Sequence, residues 1–224
     1  MFLESDFHAP EMGQINPDTE IRLLVVDDHP SMRMGLVAML NNQADMIVVA
    51  EAGDGAEAVD AYERTKPDVV LMDLRMPNVS GVEAILAIRS NDPSARIIVL
   101  STYDWDEDIH RAIESGAKSY LLKDMSTEEI TGTVRAVYLG EAVLPRHVEE
   151  RLEERSQRDH LSQREREVLE ALVMGHSNKE ISADLGISEE TVKSHLKTIY
   201  GKMRVRDRTE AAIAAIRHGI VHID

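Results

Sequence analysis

The sequence predicts an α/β protein: a five-stranded, doubly wound parallel sheet followed by a small all-α domain of four helices. Three observations predict it. From residue 21 to about 140, five short runs rich in Val, Ile and Leu alternate with helix-like segments, the pattern of parallel strands joined by crossover helices. These runs are apolar throughout, as strands covered on both faces are. After Pro145 the alternation stops, and four segments with helix punctuation follow. A chain of 224 residues also exceeds the usual single domain, so two cores are expected.

Residues 1–20 carry Pro10, Gly13 and Pro17 with mixed charge and no periodicity, and read as a disordered N-terminal extension. The strand runs are "IRLLVV", "MIVVAE", "DVVLM", "RIIVL" and "KSYLL". Between and after them, Ser31 to Leu40, Ala56 to Arg64, Val82 to Ser90, Asp106 to Ser115 and Thr127 to Leu139 read as helices, which sets a first domain at 21–141. "RHVEERLEERSQRDH" is highly charged, with Val148 and Leu152 too sparse to build a core, so 142–159 reads as a linker, helical for part of its length. Over 160–224, "LSQREREVLEALVMG", "NKEISADLG", "SEETVKSHLKTIYGKM" and "DRTEAAIAAIRHG" each open with Ser, Asn or Asp near a cap position. Three of them end at or next to Gly.

Composition limits the chemistry. With no cysteine there are no disulfides, thiolate metal sites or cysteine nucleophiles, which fits a reducing compartment. No apolar run approaches the roughly 20 residues of a membrane span, and Glu4, Asp6 and Glu11 stand where a signal peptide would be basic, so a cytoplasmic location is expected. A net charge of -16 argues against a nucleic-acid partner, but only as an average. From Leu161 to Asp224 ten Lys and Arg balance ten Asp and Glu. Between Thr191 and Thr209, Lys193, Lys197, Lys202, Arg204, Arg206 and Arg208 face Asp207 alone.

In an open parallel sheet the binding crevice lies beyond the carboxyl ends of the strands, where strand order reverses. The first strand here ends in Asp27 and Asp28, the third in Asp73, the fourth in Ser101, and the fifth runs out to Lys123. Carboxylates gathered there repel one another unless a cation sits among them. Mg²⁺ suits such a rim, because it binds through a few carboxylates, keeps waters and leaves positions for phosphate oxygens. Asp73, on the central strand of the set, is then the candidate nucleophile for an aspartyl-phosphate, with Lys123 neutralising the transferred group. At about 4 Å and an effective dielectric near 20, that lysine is worth roughly 4 kcal/mol. Each piece alone has a plainer meaning: Asp28-His29-Pro30 also fits a helix start, and Lys123-Asp124 a solvated charge pair.

The stretches "VVDDHP", "PDVVLMDLRMPNVSG", "IIVLSTYD" and "SGAKSYLLKD" resemble the receiver domain of bacterial response regulators, a flavodoxin-like fold. The resemblance implies Asp73 as phosphoacceptor, with Mg²⁺ held by Asp27, Asp28, Asp73 and the backbone carbonyl of Arg75. It implies Lys123 as partner of the phosphoryl group, Ser101 as switch hydroxyl, a role Thr102 could share, and Tyr120 as the aromatic that turns inward. A sensor histidine kinase is the implied donor. No G-x-x-x-x-G-K-[ST] loop occurs, so no nucleotide-hydrolysing activity is expected. An aspartyl-nucleophile phosphatase is the enzyme alternative, but its second acid, two residues after the nucleophile, is replaced here by Arg75. A signalling protein is therefore favoured over an enzyme.

Asn178 to Met203 reads as helix, tight turn at Gly186, helix, the helix-turn-helix arrangement. With Lys193 at zero and about 100° per residue, Val192, Leu196, Ile199 and Met203 fall within about 60° of one another as an apolar stripe. Glu190, Ser194, Lys197 and Gly201 form an adjacent polar face suited to a major groove. Thr191 and Lys202 lie further round, toward the phosphate backbone. Helix-turn-helix units also serve protein binding, so pattern alone leaves both open. The stretch "LSQREREVLEALVMGHSNKEISADLGISEETVKSHLKTIYGKM" is similar throughout to the LuxR-type DNA-binding domain, and the whole chain resembles the NarL/FixJ class of transcription regulators. That resemblance implies Lys193, Ser194 and Lys197 toward bases of double-stranded DNA, and the last helix, with Ala211, Ala212, Ala214 and Ala215, at a homodimer interface. Phosphorylation is then expected to control dimerisation or exposure of the DNA-binding helix.

Overall fold

A computed structural model describes residues 20–156 and 160–221. The expected extension over 1–20 lies, apart from Glu20, outside the described residues, as do residues 157–159 of the expected linker. The described chain divides into two compact units.

The first unit is a five-stranded sheet, parallel throughout, in the order β2-β1-β3-β4-β5. Its strands are β1 (Ile21–Val26), β2 (Met46–Ala52), β3 (Val69–Asp73), β4 (Ile97–Ser101) and β5 (Ser119–Leu122). Helices α1 (Pro30–Asn41), α2 (Gly55–Thr65), α3 (Gly81–Asn91), α4 (Asp106–Glu114) and α5 (Thr127–Tyr138) alternate with them, as the sequence predicts. Both faces are covered, which is why the strands read as unbroken apolar runs. On one face Ile21, Leu23 and Val25 of β1 pack with Leu36 and Leu40 of α1 and with Ile130, Val134 and Val137 of α5. Leu24 and Val26 point the other way and are equally buried.

Strand order reverses between β1 and β3, and this junction positions the site. Val26 pairs with Met72, so the residues that follow them, Asp27 and Asp73, leave adjacent strands at the same level. On the far side Asp73 pairs with Leu100 and Ser101 with Leu122, while the Lys123 amide donates to the Ser101 carbonyl at 2.8 Å. Gly81 opens α3 against this edge, its amide donating to the Leu74 carbonyl at 3.0 Å. A Cβ there would lie 2.1 Å from the Asp73 carbonyl oxygen, so only glycine lets α3 approach so closely.

The charged segment read as a linker contains helix α6 (Arg146–Ser156). The second unit has α7 (Gln163–Val173), α8 (Asn178–Leu185), α9 (Glu189–Met203) and α10 (Arg208–Arg217) around a core of Val168, Leu169, Leu172, Ile181, Val192, Leu196, Ile199, Ala211 and Ala215. Reciprocal capping boxes, Ser162 with Glu165 and Ser177 with Glu180, start α7 and α8. Gly186 ends α8 in the left-handed region (φ 63°), which sharpens the turn into α9.

Candidate phosphoryl site and nucleic-acid interface

Asp27, Asp28 and Asp73 meet where the sequence predicts. One ligand atom from each, together with one from His29, fall within 4.8 Å of one another. Asp73 and Asp27 are 4% and 1% exposed, and Asp28 is half-buried. Lys123 reaches between the two buried acids, its ammonium 2.6 Å from Asp73 Oδ2 and 2.8 Å from Asp27 Oδ2. The other Asp73 oxygen, Oδ1, accepts from the Arg75 amide at 3.2 Å. Asp27 Oδ1 accepts from the His29 amide at 2.8 Å, and the Arg33 guanidinium donates to the Asp27 carbonyl. Asp27 and Asp73 are therefore aimed by backbone hydrogen bonds and by strand pairing.

Burial pushes the Asp73 carboxyl above the usual carboxylate range; the Lys123 hydrogen bond and charge oppose this without cancelling it. Burial also works against the Lys123 ammonium, but its bonds to Asp27 and Asp73 outweigh that and raise its pKa above the ordinary lysine value. Lys123 is thus held charged between two carboxylates. Asp27 Oδ2 and Asp28 Oδ1 are shut from solvent with no well-aligned hydrogen bond, although Lys123 and His29 stand within 2.8 and 2.7 Å of them. A rim of carboxylate oxygens with unused lone pairs fits a small hard cation.

The pocket opens to a cleft of about 710 Å³ whose lining includes Asp73, Arg75, Ser101, Thr102, Tyr103, Lys123 and His29. Ser101 is buried, and its hydroxyl accepts from the Tyr103 amide at 3.2 Å; Thr102 is exposed. Tyr120 is fully buried and already turned inward, its hydroxyl donating to the Tyr103 carbonyl at 2.7 Å. The Arg75 guanidinium lies over the Tyr103 ring, 4.8 Å from its centre. Sequence reasoning does not single out Tyr103, which joins Arg75, Ser101 and Tyr120, because nothing in its spacing marks it. It treats His29 only as part of a helix start.

In the second unit, α8, the turn and α9 have helix-turn-helix form. Val192, Leu196 and Ile199 are buried, while Lys193, Ser194 and Lys197 are exposed on α9. Thr191 is half-buried, its hydroxyl 2.8 Å from that of the N-cap Ser188. Lys202 is tied within its own unit, donating to Glu165 Oε2 at 2.7 Å and to the His160 carbonyl at 2.9 Å. Burial alone would raise the Glu165 pKa, but Lys202 and the Ser162 cap bring it below the usual glutamate value. Arg208 is likewise turned inward, onto the carbonyls of Leu172 and His176. Ala211 and Ala215 are packed in the unit's own core, Ala212 and Ala214 are half-buried, and Ile213 is the large apolar side chain of the last helix that is exposed. Small size alone does not show which side of a helix an alanine serves.

Comparison with known proteins agrees with both units. Residues 23–135 match the response regulator receiver domain, and residues 159–215 match the bacterial regulatory proteins of the luxR family. The chain belongs to the response-regulator family. It is a two-component response regulator with a LuxR-type helix-turn-helix domain, a signalling, DNA-binding transcription regulator and not a classical enzyme. The chain is 39% identical over 213 residues to the transcriptional regulatory protein YxjL of Bacillus subtilis, covering 90% of this chain and 98% of that one. It is 36% identical over 206 residues to the response regulator protein VraR of Staphylococcus epidermidis, covering 90% and 99%. Among solved structures, that of ChrA, the response regulator of a heme-sensing two-component system, is 39% identical and superposes with a TM-score of 0.56 over 90% of this response regulator and 98% of ChrA. Among the described residues no helix is long and apolar enough to cross a membrane.

Proposed function

We propose that this response regulator takes a phosphoryl group on Asp73 from a sensor histidine kinase, with Mg²⁺, and thereby changes how its C-terminal domain engages double-stranded DNA. The observation that carries the reading is the Lys123 ammonium held 2.6 Å from Asp73 Oδ2 and 2.8 Å from Asp27 Oδ2. An Asp73 oxygen attacks phosphorus, the bond from phosphorus to the donor's histidine nitrogen breaks, and that nitrogen keeps the electron pair and regains a proton. Burial makes the ionised Asp73 carboxylate a stronger nucleophile, and Lys123 both keeps it ionised and offers its charge to the incoming phosphoryl oxygens. Asp27, Asp28, Asp73 and the Arg75 carbonyl would hold the cation, which supplies further positive charge to those oxygens.

The acyl phosphate carries about one more negative charge than the ionised carboxylate it replaces, and it presents new acceptor oxygens. Ser101 ends the adjacent strand, one residue beyond the Leu100 that pairs with Asp73, and Thr102 beside it carries a second hydroxyl. Ser101 accepts from Tyr103, and Tyr103 accepts from Tyr120, so a hydroxyl drawn toward phosphate moves the loop between β4 and α4. A shift from 1:99 to 99:1 takes about 5.5 kcal/mol, within reach of a few charge-assisted bonds. On α9, Lys193, Ser194 and Lys197 are the base-reading candidates, while Thr191 and Lys202 are at most secondary, because their polar atoms are engaged within the unit. Homodimerisation on paired half-sites is the form the phosphorylated state takes.

The reading is tested by selecting bound DNA from a random pool with the full chain, with and without acetyl phosphate and Mg²⁺. Enrichment of a two-fold-related sequence that strengthens with phosphodonor, and does not strengthen in Asp73→Asn, supports it. Equal enrichment in all arms would place control of DNA binding elsewhere.

A further inference from the structure

Helix α9 ends against the preferences of its own backbone. Gly201 lies in the last helical turn, ahead of Met203 and the C-cap, where glycine loses more backbone freedom than any other residue. Nothing within the unit asks for it: its φ is not positive, and an added Cβ would meet nothing within 4 Å. Arg204, the C-cap, is the reverse case. It holds a left-handed backbone (φ 55°, ψ 40°), the conformation that favours glycine over a long side chain. Gly175, Gly186 and Gly219 take such positions elsewhere in the same unit. Glycine and arginine thus stand at each other's preferred places, and the packing of the unit explains neither.

Both residues lie on the side of α9 that carries its exposed lysines. At about 100° per residue, Lys193, Lys197, Gly201 and Arg204 fall within about 80° of one another, and Arg204 comes about 16 Å further along the axis than Lys193. Lys193, Lys197, Arg204 and Arg206 are exposed, and none of their side chains makes a hydrogen bond or ion pair among the described residues. Lys202 and Arg208, by contrast, are bonded inward. The turn after α9 is held by its backbone: the Arg204 and Val205 amides donate to the Gly201 and Tyr200 carbonyls at 3.2 and 3.0 Å, and the Arg206 amide donates to Glu210 Oε2 at 2.8 Å. Two guanidinium groups are therefore presented from a fixed turn, beside a bare stretch of helix backbone.

A major groove is about 12 Å wide, so a helix whose N-terminal half reads base edges carries its C-terminal end to the phosphates at the rim. There a glycine lets the helix backbone approach a phosphate closely, and the arginine fork matches phosphate oxygens. Resting on the DNA-binding reading above, we propose that Gly201, Arg204 and Arg206 form a seat for the sugar-phosphate backbone of DNA, Gly201 giving the close approach and the two arginines the charge. Such a seat fixes the protein's position on the duplex and is blind to sequence.

The experiment uses the full chain with acetyl phosphate and Mg²⁺, a random-sequence DNA duplex and a salt titration, with thermal unfolding of the same variants. Gly201→Leu and Arg204→Gly are each expected to unfold at or above the parent's temperature, because each gives the backbone a residue it prefers. Each should nevertheless bind the duplex about tenfold more weakly. Arg204→Gly and Arg206→Gln should each flatten the slope of log affinity against log salt by about one, whereas Arg217→Gln, which removes an exposed cation from α10, should leave it unchanged. Parent-like affinity and slope in Gly201→Leu and Arg204→Gly, or equal flattening by Arg217→Gln, would overturn the seat and leave the DNA-binding reading intact. A lowered unfolding temperature in both variants would assign the two residues to the fold instead. If the parent chain binds no duplex, the DNA-binding reading fails and the seat falls with it.

Discussion

At the scale of single residues, Lys123 decides what the pocket can do. Its ammonium is the charge between Asp27 and Asp73 in the structure, and in the proposed reaction it is the group that would follow charge onto a phosphoryl oxygen. Lys123→Met leaves two buried carboxylates facing each other, so one of them takes up a proton and the Asp73 pKa rises further. Phosphoryl incorporation from acetyl phosphate should then slow on the order of 1,000-fold, as about 4 kcal/mol of charge stabilisation implies. Incorporation at the parent rate would show that the ammonium plays no part. Asp27, Asp28, Asp73, Ser101 and Lys123 were legible in the sequence because each ends or follows an apolar run, and parallel strands deliver such residues to one edge. His29, Tyr103 and the inward bonds of Lys202 were not, because they depend on rotamers and on neighbours distant in sequence. Lys202 and Lys197 look alike as letters. Only the fold shows that one is tied to Glu165 and the other is exposed.

At the scale of elements, the position of Asp73 depends on how closely α3 packs behind β3. Gly81→Ala puts a methyl group 2.1 Å from the Asp73 carbonyl oxygen and 2.8 Å from Leu74 Cα, so backbone must move. A stability loss on the order of 1–3 kcal/mol in urea unfolding is expected, together with reduced phosphoryl incorporation. Gly132→Ala in α5, where an added Cβ meets nothing within 4 Å, is the control and should be neutral or stabilising by up to about 1 kcal/mol. Elsewhere, α5 is fixed to the loop before β2 by Arg135, whose Nε and Nη2 donate to Asp45 at 2.7 and 2.9 Å. The Arg135 hydrogen bond holds the Asp45 carboxyl below its usual value, so this contribution to stability is complete above about pH 3.9 and is lost as pH falls through the lower folded value. Asp45→Asn should cost about 1 kcal/mol at neutral pH, since the pair is partly exposed, and its unfolding midpoint should converge with the parent's in acid. A gap that persists at low pH would assign the loss to packing instead. Helix and strand identities were legible throughout because capping residues and apolar runs are local signals. The charged segment, read as a linker helical for part of its length, contains α6, whose bounds no cap or apolar stripe marks in the sequence.

At the scale of the whole molecule, the receiver and the LuxR-type domain divide the charge unevenly. The acidic surplus lies in the first 160 residues, and the exposed lysines of α9 lie in a C-terminal quarter that is neutral overall. A neutral, locally basic quarter can approach phosphate-rich DNA that the acidic remainder of the chain would repel. The account depends most on Asp73 being the residue where the signal enters. Incubating the full chain with acetyl phosphate and Mg²⁺, then measuring intact mass and mapping the modified peptide after borohydride trapping, tests this directly. The account predicts one phosphoryl group per chain, on Asp73, absent without divalent cation and absent in Asp73→Asn. Phosphate on another residue, or none on a folded parent chain, would contradict it.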